Sequence, residues 1–214
     1  MSPSEWQGDG LILRKDPHGE SYLKLLILSP EWGLMHVLLR FSSGSSRKRS
    51  SGMEPDLFDE IHARFAPAKN QQLAFIQEWQ LVHRLSGLGS SYQRLLWAVK
   101  LVQAFIPNLA HIEETEWTYG LLRKSLRAMA GKDLPEASYC KALFLFAREQ
   151  GYPVAEAWLN RHPTQLQLQA LELLQKPLHQ IQIDPGVLKR IRLSLEGFLR
   201  ANSDFEIPEE RNQP

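Results

Sequence analysis

A chain of 214 residues with 43% apolar content has enough material for one large or two small domains with real cores, which excludes a disordered protein. The formal net charge is +1, and the first 90 positions hold ten basic and ten acidic residues, so any attraction for nucleic acid must come from local clustering and not from a global field. A single cysteine, Cys140, excludes an intrachain disulfide and a cysteine-rich zinc site, and fits a reducing compartment. The opening Met1–Trp6 lacks the pattern of a signal peptide, and no run approaches the ~18 apolar residues of a membrane span, so a cytoplasmic protein is expected.

Gly10–Leu13 is a short apolar run between two turn clusters, Gly8-Asp9-Gly10 and Asp16-Pro17-His18-Gly19, and reads as a first strand. Tyr22–Leu28, closed by Ser29-Pro30-Glu31-Trp32-Gly33, reads as a second strand, and Leu34–Phe41 as a third. The segment Ser42–Gly52 that follows has no apolar residue and carries Arg47, Lys48 and Arg49 at its centre. Its bland interpretation is a solvated hairpin loop, and its functional one a grip on a phosphate backbone. Asp56–Phe65 and Ala74–His83 complete five short strands, which match an OB-like barrel in number and length.

From Ser86 the spacing changes. Gly87-Leu88-Gly89 breaks the chain, and Ser90 or Ser91 suits an N-cap for a helix that Pro107 stops. Glu113–Gly131, Pro135–Gly151, Pro163–Lys176 and Pro185–Ala201 each combine helical apolar spacing with start and stop signals. The pattern therefore predicts an α+β chain: an N-terminal five-stranded OB-like β-barrel over residues 1–85, an all-helical domain over 86–201, and a flexible tail over 202–214.

Catalytic constellations are missing. There is no phosphate loop ending in Lys-Ser/Thr and no Gly-x-Ser-x-Gly, and no two of the seven histidines stand four apart. Cys140 reads as a packing residue in mid-helix, and Glu113, Glu114 and Glu116 as acids at a helix start. A non-enzymatic protein without metal or cofactor is expected.

The basic residues Arg14, Lys15, Lys24, Arg40, Arg47, Lys48 and Arg49 all fall in the barrel half, where pairing of strands brings them toward one side. Trp32, in a turn, is the candidate for base stacking, whereas Tyr22 is expected to fill the barrel. A second cluster, Arg123, Lys124 and Arg127, lies at helical spacing beside Leu122, Leu126 and Met129. It predicts either a solvated face or a cation-rimmed apolar groove for an acidic peptide tail.

The order of these elements resembles the bacterial RecO recombination-mediator family. The resemblance is carried by Gly10-Leu11-Ile12-Leu13, by Pro17-His18-Gly19-Glu20-Ser21, by Leu25–Trp32-Gly33 and by the basic segment after the third strand. Pro55–Asp59 and Ser91–Leu95 stand where the family has its fourth strand and the first helix of its second domain. It implies a nucleoid-associated bacterial protein that binds single- and double-stranded DNA and anneals complementary strands. It also implies contacts with RecR and with the C-terminal tail of single-strand-binding protein, and indirect help in loading RecA. Many members carry four cysteines as a zinc site, whereas here Gln150–His162 occupies that place without ligands. The alternative is a protein-interaction adaptor of the same fold with little DNA binding.

Overall fold

The computed structural model describes residues 5–40, 54–67, 73–109, 112, 115–131, 134–202 and 204–208. The chain divides into two compact units, Met1–Leu85 with Ile112–Arg123, and Ser86–His111 with Lys124–Pro214.

In the first unit, five strands close a barrel: β1 (Trp6–His18), β2 (Tyr22–Ser29), β3 (Gly33–Arg40), β4 (Glu60–Pro67) and β5 (Ala74–His83). The strand order is β1-β2-β3-β5-β4, with β4 pairing back onto β1. All pairings are antiparallel except β3 with β5, a parallel seam of three residue pairs from Val37↔Ala74 to Leu39↔Ile76. This is the OB-like barrel that the strand count predicts, followed by a helical region.

Strand β1 is longer than its apolar run because it serves two neighbours. Trp6–Leu11 pairs with β4, and Leu11–His18 pairs with β2. The register shifts between Ile12 and Arg14, a bulge that bends the strand around the barrel. The interior is filled by Ile12, Leu23, Leu25, Ile27, Val37, Ile61, Phe65 and Ile76, with Trp6, Met35, Leu39 and Trp79 partly buried around them. Gly10 sits where β1 curves over this core, and a Cβ there would run into the side chain of Ile27.

Strand β4 begins at Glu60 and not at Asp56, which corrects the sequence expectation. Asp56–Asp59 is a turn held by its own carboxylates: Leu57 N donates to Asp56 Oδ1 and Asp56 N to Asp59 Oδ2, each at 2.8 Å. Phe58 adopts φ 66° there and is buried. Asp59 is buried too, and Arg84 neutralises it with a bidentate contact, Nη2 at 2.6 Å and Nε at 3.0 Å.

The longer helices are α1 (Tyr92–Phe105), α2 (Thr115–Ala130), α3 (Pro135–Glu149), α4 (Thr164–Gln175) and α5 (Pro185–Asn202). The first half of α2 belongs to the barrel unit, and Thr115 Oγ1 donates to the Pro30 carbonyl in the β2–β3 turn at 2.9 Å. Ser91 is the N-cap residue of α1 but makes no side-chain cap bond, while Ser90 Oγ donates to the Gly87 carbonyl. Helix α3 starts on Pro135 and stops at Gly151, whose φ of 82° suits glycine. A π-turn at Val154–Trp158 follows, where no element was expected.

The second unit packs Phe105 on Phe146 at 4.1 Å between ring centroids. It also buries a polar network. Arg192 reaches Glu136 at 2.8 Å and Glu196 at 3.1 Å, stacks over Trp97 at 5.1 Å, and Tyr139 Oη donates to Glu196 at 2.9 Å. With Arg192 shared by two carboxylates and Glu196 also accepting from Tyr139, the network escapes the penalty of a lone buried ion. Residues 204–208 depart from the expected loose tail: Phe205 is buried against Phe146 and Tyr152, and Asn108 holds the Glu206 backbone from both sides.

Gly10→Ala should destabilise the barrel by about 1–3 kcal/mol, because the added methyl overpacks a closed core. Urea denaturation followed by tryptophan fluorescence measures this, and an unchanged midpoint would show that the Ile27 side chain yields freely.

Candidate nucleic-acid interface

In a barrel, alternate residues of each strand face outward, and cross-strand partners share a face. The outward rows that cross β1, β2 and β3 are Arg14–Leu26–His36, Asp16–Lys24–Leu38 and His18–Tyr22–Arg40. Leu38 continues to Phe75 on β5. Arg14, Lys24 and Arg40 thus stand on one outer face of the sheet. Two of the three bear on the exposed His36, whose pKa is held below its ordinary value first by burial and then by the positive charges of Lys24 and Arg14.

Among the described residues, Lys15, Arg64 and Arg84 are engaged elsewhere. Arg14 and Lys15 are consecutive and point to opposite sides. Lys15 lies at an inward position and binds Glu54 at 2.6 Å, so it does not join Arg14. Arg64 is held by Glu5 and Glu78, and Arg84 by Asp59. On the outer face itself Arg14 is half-neutralised by Asp16, at 3.0 Å with both side chains about half exposed. Among the described residues Lys24 and Arg40 have no ion-pair partner. Arg47, Lys48, Arg49 and Phe41 lie outside the described residues, in the sequence that leaves Arg40.

The aromatic component differs from the sequence expectation. Tyr22 is an outward residue and not barrel filling: it is half-buried, with its ring 6.0 Å from that of Phe75 at 58°. The inward places on β2 go to Leu23, Leu25 and Ile27, which forces Tyr22 and Lys24 outward. Trp32 is 51% exposed, but it stands at the far end of the sheet, in the β2–β3 turn. Seven strand residues separate Gly33 from Arg40, about 23 Å at the usual rise. The Trp32 ring instead lies 5.9 Å from Trp6, which lies 5.9 Å from Phe65. His36 and Phe75 were missed, because their side depends on register and not on residue type.

The α2 cations are dispersed. Arg123 lies over the Tyr119 ring at 5.6 Å, and burial and the nearby Glu60 push the Tyr119 phenol above its ordinary range. Lys124 and Arg127 are exposed. Leu122, Leu126 and Met129 are fully buried, so they form core and not the walls of a surface groove.

Among the described residues no three His, Cys, Asp or Glu side chains gather as a metal site. His162 Nε2 lies 3.2 Å from Ser194 Oγ, but that oxygen also accepts from the Trp158 indole, and the set reads as a helix-packing contact. Cys140 is buried, and burial pushes its thiol well above the ordinary range, so it is a poor nucleophile. Among the described residues no helix is long and apolar enough to cross a membrane. No family model matches the chain, and no curated protein matches it.

Native protein should react with a thiol-titrating disulfide reagent at least about a hundredfold more slowly than protein in denaturant, since only the thiolate reacts. Fast, stoichiometric reaction of the native chain would show that α3 opens readily around Cys140.

Proposed function

We propose that this chain is a RecO-like DNA repair and recombination mediator that holds single- and double-stranded DNA on the outer face of β1–β2–β3. The observation that carries this reading is the gathering of Arg14, Lys24 and Arg40 on one sheet face beside the Tyr22–Phe75 pair, in a chain whose overall charge is +1. Cations spaced across neighbouring strands suit successive phosphates, and the half-exposed aromatic pair suits an unstacked base, with stacking contributing about 1–3 kcal/mol per base. Arg47, Lys48 and Arg49 follow Arg40 in the sequence and lie outside the described residues.

Annealing fits such a surface: it screens two backbones from each other while leaving base edges free to pair. Contacts with RecR and with the tail of single-strand-binding protein, and indirect help to RecA, complete the reading. For the acidic tail, Lys124 and Arg127 are the exposed cations of this cluster, whereas Arg123 is half-buried over the Tyr119 ring.

Affinity for a labelled oligonucleotide should fall steeply with salt, by about 0.7 log units per log unit of salt for each phosphate on a single strand. Lys24→Ala with Arg40→Ala should flatten that slope by about one to two contacts. A wild-type protein that fails to bind at low salt would favour the adaptor alternative instead. In a separate titration, Lys124→Glu with Arg127→Glu should weaken an acidic peptide ending in a hydrophobic residue, while DNA affinity stays the same. Equal peptide affinity in both proteins would remove α2 from that contact.

A further inference from the structure

The proposed nucleic-acid face carries two imidazoles, His18 and His36, and His36 is the one set against the charges of Lys24 and Arg14. His36 is exposed on β3, with Leu26 directly across on β2, Arg14 beyond it on β1, and Lys24 on the diagonal. The other groups on this face are Asp16 and His18 from β1, Tyr22 from β2, and Arg40 from β3 itself. The stretch of β5 paired to β3, Ala74–Ile76, contributes no titratable side chain. The carboxylate on this face, Asp16, is paired with Arg14 at 3.0 Å.

Resting on the nucleic-acid reading of this face, we propose that His36 is a proton-linked phosphate contact: a phosphodiester seated between Arg14 and Lys24 draws a proton onto the imidazole, so that DNA is held more tightly as pH falls. The physical basis is a reversal of the local field. In the free protein burial first, and then the charges of Lys24 and Arg14, oppose protonation of His36. A bound phosphate leaves the burial in place but sets a negative charge against the two cations and accepts a hydrogen bond from the protonated ring, so the imidazolium becomes a further donor to the backbone.

The sign follows from linkage. If the bound state carries more protons than the free state, affinity rises with proton concentration, by at most about tenfold per pH unit for one group. The proton comes from solvent and returns to it on release, so nothing else is consumed. A mediator that must let go of the strand it has delivered gains a release step this way, without any covalent chemistry.

The test is a titration of labelled oligodeoxythymidine at constant ionic strength, at pH 8 and pH 6. Wild-type protein should bind about three- to tenfold more tightly at pH 6. His36→Gln should show less than about a twofold change, His36→Lys should bind tightly at both pH values, and His18→Gln should keep the wild-type response. Binding that is insensitive to pH, or a His36→Gln variant that keeps the full response, would overturn the linkage and leave the DNA-binding face intact. No binding by the wild type at either pH would overturn both.

Discussion

The barrel depends on one strand doing two jobs. Strand β1 must pair with β4 at its start and with β2 at its end, and it exchanges partners at Leu11. That requires curvature, and two local devices supply it: a side chain reduced to hydrogen at Gly10 and an extra residue at the Ile12–Arg14 bulge. Closure then leaves the ten core residues inside, with Trp6, Met35, Leu39 and Trp79 packed against them.

The bulge also decides where the charge goes. With strict alternation, Arg14 would share the inward side with Ile12. The inserted residue reverses the parity, so that Arg14, Asp16 and His18 face out and Lys15 faces in. A one-residue slip at this point would exchange the two sets and dismantle the cationic row.

Turn chemistry made the strands legible: Asp16-Pro17-His18-Gly19 and Ser29-Pro30-Glu31-Trp32-Gly33 bracket β2, and β5 runs from Ala74 to His83 as its pattern predicts. The start of β4 was not legible, since Asp56–Asp59 holds itself in a turn through side-chain bonds that alternation cannot reveal. The face was legible only in its inventory of cations. Leu26 and Leu28 are outward by register yet buried, so β2 shows no clean alternation and Tyr22 was assigned to the interior. His36 and Phe75 join the face through cross-strand pairing, a long-range property that no local pattern encodes. The α2 cluster shows the converse: Arg123, Lys124 and Arg127 are neighbours in sequence, but Arg123 is turned onto Tyr119.

The parallel seam has a consequence for solubility. Only Val37–Leu39 of β3 is joined to β5, so Gly33–His36 and Arg40 have β2 on one side and no paired strand on the other among the described residues. Among the described residues the closed barrel thus has two short margins without a paired strand, and such margins invite foreign strands. His36 and Arg40 stand one on each. The fixed charge of Arg40 and the polar ring of His36 disfavour the templating of a second polypeptide there, so exchanging them for apolar residues would invite self-association.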